Sequence, residues 1–267
     1  MNIRKYFVLL LAFALLFAAP AAARKKDKKA HTAGSTAVVE PDRLPNSATA
    51  HAHHKGSKAI KTAAKGYINN KYKEGFDISH YQGNINWSAV AGEEVSYVYI
   101  KATEGQALID ECYESNLRGA KSAGISVSAY HFYRPTVSPQ EQLELMTSVV
   151  RKEDIDLVPL IDIEARGNVS HEQFIDDLRT FIKAVTKHYG RKPLLYTYHN
   201  FYNKHLIGEF KDYYWMIARY RDDAPWLDDG TDYLIWQYTS SGSLDGIRGK
   251  VDRSRLMPGK TLDVLRM

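Results

Sequence analysis

The chain has 267 residues, a single cysteine and a formal net charge of +5. One cysteine excludes an intrachain disulfide, so a small disulfide-stapled fold is ruled out and a large apolar core must supply the stability. The charge is unevenly divided: residues 24–73 carry twelve basic and three acidic side chains, whereas residues 74–267 carry 22 and 28, which removes the usual ground for assigning a basic protein to nucleic acid.

In chain order, the first element is a leader. Arg4 and Lys5 precede the apolar run YFVLLLAFALLFAAPAAA, and Ala21, Ala22 and Ala23 offer a cleavage site before Arg24. These are the marks of a secretory signal over residues 1–23. Export is therefore expected, to the periplasm, the outer surface or the extracellular medium, with a membrane link only if that segment stays uncleaved. Residues 24–73 are rich in Lys, Ala, His, Ser and Thr. Such a composition buries too little apolar surface to offset chain entropy, so a disordered basic linker is expected. His51, His53 and His54 lie in it; histidines in an unfolded segment are ordinarily solvated rather than metal-bound. The linker's charge suits an anionic envelope polymer. A nucleic-acid protein recruited by this tail would instead bind DNA with steep salt dependence, and the export signal argues against that partner.

Residues 74–267 have the texture of one large domain. Strands are predicted near residues 75–79, 95–102, 125–132, 157–163, 193–198, 213–219, 233–239 and 250–253. Helices are predicted near 108–123, 138–152 and 170–189. The last has Ser170 as a cap, an apolar stripe of Phe174, Leu178, Phe181, Ile182 and Val185, and Gly190 as its stop. Cys112 falls in the first helical pattern and is read as a packed or half-buried thiol. Strands alternating with helices predict a parallel sheet, and eight of them predict a closed α/β barrel of the TIM-like kind. Between residues 213 and 253 the connections are loops, so the end of the domain is expected to be nearly bare strands.

In such a barrel the site lies at the carboxyl ends of the strands. Asp77 ends the first strand, in GFDISHYQG; Asp162 and Glu164 end the fourth, in PLIDIEARG; Asp252 lies in the last, in KVDRSRL. Two positions apart on a strand, Asp162 and Glu164 point to one face and raise each other's pKa. Aromatics end the same strands: Tyr130, His131, Phe132 and Tyr133; Tyr196 and Tyr198; Tyr220 beside Arg219; Trp236 and Tyr238. Flat apolar faces with polar edges, set beside acids, suit a carbohydrate. No regular Asp/Asn loop or His pair stands at ligand spacing, so neither a metal nor a cofactor is expected.

Seven stretches, GFDISHYQGNINW, YVYIKATEG, GISVSAYHFYRP, PLIDIE, LLYTY, YYWMIARY and IWQYTSSGSLDGIRGKVD, together resemble the glycoside hydrolase family 25 lysozymes, the Chalaropsis-type muramidases, over about residues 74–258. The resemblance implies a modified barrel of five βα units and three further strands, and hydrolysis of the β-1,4 bond between N-acetylmuramic acid and N-acetylglucosamine in peptidoglycan glycan strands. By position, Glu164 matches the general acid, Asp162 the carboxylate beside it, and Asp77 and Asp252 the two further acids. Tyr130, Tyr198, Trp236 and Gln237 match positions that line the sugar groove, and Arg219 and Tyr220 are added from the strand-end pattern. The chain departs from the family at Tyr81, where a Trp often follows His80, and at Arg253-Ser254, where an Asn is common. The resemblance leans toward retention of anomeric configuration. Glycosidic cleavage then requires a protonated Glu164, with Asp77, Asp162 and Asp252 expected to stay ionised around it. A monomer is expected. The competing reading is a barrel that holds cell-wall glycan without cutting it.

Overall fold

The computed structural model describes residues 68–267. The leader, the linker up to residue 67 and the histidines at 51, 53 and 54 lie outside the described residues. Among the described residues there are nine strands and five α-helices. The strands are β1 (Glu74–Ile78), β2 (Tyr97–Glu104), β3 (Leu108–Ile109), β4 (Ser126–Phe132), β5 (Leu160–Asp162), β6 (Leu194–Tyr198), β7 (Trp215–Ala218), β8 (Ile235–Gly242) and β9 (Val251–Leu256). The helices are α1 (Trp87–Val90), α2 (Tyr113–Ser122), α3 (Pro139–Val149), α4 (His171–Tyr189) and α5 (His199–His205).

The sheet runs β1-β9-β8-β7-β6-β5-β4-β2, and a β1–β2 pairing closes it into an eight-stranded barrel, with β3 an extra ribbon on β2. β2, β5 and β7 are buried along nearly their whole length, on both faces, which is why they read as mainly apolar runs, whereas β9, VDRSRL, alternates buried and half-buried positions. In β2, Tyr97 and Tyr99 join the core inside the barrel with Leu160, Tyr196 and Met216. Val98 and Ile100 join the core between barrel and helices, which also contains Phe174, Leu178 and Phe181 of α4. Space inside is tight: a Cβ on Gly75 would lie 2.3 Å from the Tyr97 ring, so only glycine fits there. Ser170 caps α4 by accepting from the Gln173 amide, and Gly190 ends it in the left-handed region at φ 74°.

Four local features differ from the sequence expectation. Residues before 74 pack onto the barrel: Ile68 is buried in the inner core, the Asn69 amide donates to Ser126 Oγ at 2.7 Å and the Tyr72 amide to Ser96 Oγ at 2.7 Å. These residues close the barrel floor with Leu262 and Leu265, a long-range role that local composition does not reveal. The helix expected from 108 starts at Tyr113, because Leu108 and Ile109 pair with β2 and Asp110 ties down the turn by accepting from the amides of His80 and Cys112. Cys112 is half-buried just before that helix. Helix α5 follows β6 directly; its sequence HNFYNKH has weak helical propensity, and burial of Phe201 and Tyr202 holds it. Finally, β9 runs antiparallel to both β1 and β8, whereas the other barrel pairs are parallel. Among the described residues no helix is long and apolar enough to cross a membrane.

Candidate active site

The reversal of β9 brings its beginning, not its end, to the mouth formed by the carboxyl ends of the parallel strands. Asp252, second in β9, therefore stands directly opposite Asp77, fourth in β1. Asp162, last in β5, lies in register between Phe132 of β4 and Tyr196 of β6, and Glu164 follows two residues on. All four acids line one open cavity of about 260 Å³, together with Lys101, Tyr130, Tyr196 and Tyr220.

The hydrogen bonding fixes the orientation of several groups. Gln237 Oε1 accepts from the hydroxyls of Tyr196 at 2.9 Å and Tyr220 at 2.8 Å. With its oxygen so engaged, Gln237 turns its Nε2 to donate to Asp77 Oδ2 at 2.8 Å. Asp77 and Asp252 are cross-strand neighbours on β1 and β9, so the two carboxyls titrate as a pair, each opposing the ionisation of the other. Asp162 is buried, and its Oδ1 has no hydrogen-bond partner.

Burial raises the pKa of every acid here, as desolvation disfavours the charged form. It is the largest cause at Asp77, reinforced by the charge of Asp252 and opposed by Gln237, and the group lies well above the carboxylate range. Asp162 is likewise raised well above it, first by burial and then by Glu164 and Asp77, with Lys101 opposing. Glu164 is raised by burial and then by Asp252, against Lys101 and Arg134. Asp252 is raised by burial, and its bond from Asp77 opposes the rise. The expectation set ionised Asp77 and Asp162 around a protonated Glu164; in the structure burial and like charge raise those two acids as well as Glu164. Asp162 is buried while Asp77 and Glu164 are half-buried, and desolvation is the largest cause of the rise at all three.

Tyr130 and Tyr220 form part of the cavity wall. Tyr198 is exposed beside the mouth, where burial and then the Glu164 charge raise its phenol. Gln237 acts from beneath the wall, 2% exposed. Trp236 and Arg219 lie outside the wall. The Trp236 indole is 8% exposed, belongs to the outer core and donates to the Arg219 carbonyl at 2.9 Å. The Arg219 guanidinium stacks 4.1 Å over Trp226 and pairs with Asp223 at 2.5 Å. Alternation decides this split, since neighbours in a strand face opposite layers.

Lys101 was not anticipated. It sits in the cavity wall as a buried cation, its Nζ 2.5 Å from Glu104 Oε2, and Glu104 is held in turn by Arg134 Nε at 2.9 Å. The available signal was a lysine inside the apolar run YVYIKATEG, since a cation there needs a partner. Among the described residues no group of three or more His, Cys, Asp or Glu is placed to hold a metal ion.

A model of the glycosyl hydrolases family 25 matches residues 76–247. Lysozyme M1 of Streptomyces globisporus is 32% identical over 198 residues, covering 68% of this chain and 67% of that protein. YegX of Escherichia coli (strain K12), whose printed name describes it as uncharacterized, is 32% identical over 209 residues and 76% of each chain. Among solved structures, a family 25 glycosyl hydrolase from Bacillus anthracis aligns with a TM-score of 0.65 and 27% identity, over 74% of this chain and 96% of that one.

Proposed function

The chain belongs to glycosyl hydrolases family 25, and from that membership and the acid-lined mouth we infer that it is a peptidoglycan-hydrolysing muramidase, cleaving the β-1,4 bond between N-acetylmuramic acid and N-acetylglucosamine. The observation that carries the reading is the meeting of Asp77, Asp162, Glu164 and Asp252 in a single open cavity. Cleavage needs a proton for the leaving oxygen and negative charge near an oxocarbenium-like centre. Glu164 is assigned as the general acid: it is half-buried, so it reaches substrate, and burial raises its pKa, which favours the protonated form a general acid needs. Asp162 is assigned as the carboxyl beside the reacting carbon, since it lines the cavity and its buried Oδ1 has no hydrogen-bond partner in the protein. Asp77 and Asp252 stand opposite each other on β1 and β9, where mutual repulsion opposes the ionisation of both together. Tyr130, Tyr198 and Tyr220 are assigned to the sugar groove, and Gln237 to holding Asp77 and Tyr220 in place.

A barrel that binds glycan without cutting it is the weaker reading, because burying two acids with little compensating charge destabilises a fold and gives a lectin nothing in return. All four acids come from one chain, so the site works as a monomer. A wall substrate also places the enzyme outside the cytoplasm, in the periplasm, on the outer surface or in the medium.

The test is Glu164→Gln. Its circular dichroism should match the parent protein and its melting temperature should be no lower, while release of reducing ends from purified peptidoglycan should fall by about 10³-fold or more. Near-normal clearing of a cell-wall suspension by that variant would refute the assignment.

A further inference from the structure

A second cavity, of about 770 Å³, adjoins the catalytic one and shares the Tyr81 and Gln82 side of its wall. Its other walls come from the loop after β1, with Asn84 and Asn86, and the loop before β9, with Gly246 and Arg248. The two loops are tied together. The Asn86 amide donates to the Gly246 carbonyl at 2.8 Å, and Gln82 Nε2 donates to the Lys250 carbonyl at 3.1 Å. Gly246 has φ +92° and no room for a side chain, a Cβ there standing 2.4 Å from the Asn86 oxygen. The floor is therefore a built surface.

Its charge is opposite to that of the mouth. Arg248 and Lys250 are exposed and form no ion pair among the described residues, whereas Lys101, Arg134, Arg219, Arg253 and Arg255 on other parts of the barrel are all paired with acids. We propose that this cavity docks the acidic stem peptide of the muramyl residue being cleaved, with Arg248 as its principal cation. The proposal rests on the muramidase reading. The bond cut belongs to the muramyl ring, so that ring must sit among the four acids, and the peptide on its lactyl group must leave through an adjoining opening. The peptide's carboxylates are repelled by the mouth and attracted by Arg248 and Lys250. A further sugar would call for aromatic platforms, and the only aromatic side chain in this wall is Tyr81, at the boundary. A four-residue stem reaches up to about 14 Å, enough to cross the cavity.

Steady-state kinetics on two soluble glycans test this, one carrying stem peptides and one stripped of them by an amidase. For Arg248→Glu, KM on the peptide-bearing glycan should rise about 5- to 20-fold, with kcat and the KM on stripped glycan unchanged. Arg248→Lys should recover most of the loss, and the preference should fade in high salt. Equal losses on both glycans, or none on either, would overturn the proposal. Retention of the two glycans by Glu164→Gln protein, with and without Arg248→Glu, tests the docking site with no cleavage involved. A parent protein that releases no reducing ends from either glycan speaks against the muramidase reading, while the retention comparison still decides the peptide site.

Discussion

Asp162 is held at a cost to the fold. Its carboxyl is buried, one oxygen is unpartnered, and Glu164 and Asp77 add like charge. Its folded pKa lies above the unfolded value of 3.8, so below that value both states are protonated and there is no penalty. The penalty grows as pH rises toward and through the folded pKa, because the unfolded chain ionises freely and the folded one resists. Asn cannot ionise. Asp162→Asn should therefore raise the melting temperature at pH 7 by at least about 2 °C, with a smaller gain at pH 4, while glycan cleavage collapses. Scanning calorimetry at the two pH values checks the sign; a lower melting temperature at pH 7 would mean that the carboxylate is stabilised in a way the structure does not provide. Gln237 is the complementary case. Its amide is locked by two tyrosine hydroxyls, so it positions Asp77 without entering the cavity wall.

Among the elements, β9 does the most to assemble the site. Had it run parallel like its neighbours, Asp252 would sit at the floor of the barrel, away from Asp77. Residues 243–250 after β8 are too few for a crossover helix, so the chain returns as a hairpin and the direction reverses. The helical layer shows the same dependence on close fit. Gly119, inside α2, lies against Trp87 of α1, and a methyl there would stand 2.1 Å from Trp87 Cδ1. Alanine normally improves a helix by up to about 1 kcal/mol over glycine. Here overpacking should win, and Gly119→Ala should destabilise by about 1–3 kcal/mol in urea unfolding, with a changed tryptophan emission spectrum. A stabilised Gly119→Ala protein would show that α1, only four residues long, shifts freely.

At the scale of the whole molecule, stability against pH sums two opposed contributions. His131 is fully buried between the barrel and α3, with Nδ1 2.8 Å from Thr103 Oγ1 and Nε2 3.2 Å from Gln142 Oε1. Gln142 Nε2 already donates to the carbonyls of Arg134 and Val137, so its oxygen accepts, Nε2 of His131 carries the hydrogen, and Thr103 donates to Nδ1. This neutral ring has its pKa pushed down to about 4, chiefly by burial. The unfolded chain takes up a proton near 6.5 and the folded one does not, so stability is complete above pH 6.5 and is lost as pH falls toward 4, by about 3 kcal/mol at most. The raised carboxyls slope the other way. His131→Gln removes only the first contribution, so its melting temperature should fall less than that of the parent between pH 6.5 and 4.5. Identical profiles would mean that His131 titrates normally.

How much of this was legible in the sequence follows from the range of the forces involved. Alternation along strands and the apolar stripe of α4 are local patterns, so the barrel class, the capped helix from Ser170 to Gly190 and the grouping of Asp77, Asp162, Glu164 and Asp252 at strand ends could be read from one chain. Local pattern did not reveal what depends on partners distant in sequence. The packing of Ile68 against Leu262, the conversion of Leu108 and Ile109 into a ribbon, the reversal of β9 and the placement of Trp236 in the outer core all required the closed sheet. The same holds for the raised pKa values of the acids. Residue type alone sets each carboxyl near its ordinary pKa, and only the finished barrel supplies the desolvation that is the largest cause of the rise at Asp77, Asp162 and Glu164, because desolvation is a property of everything packed around a charge.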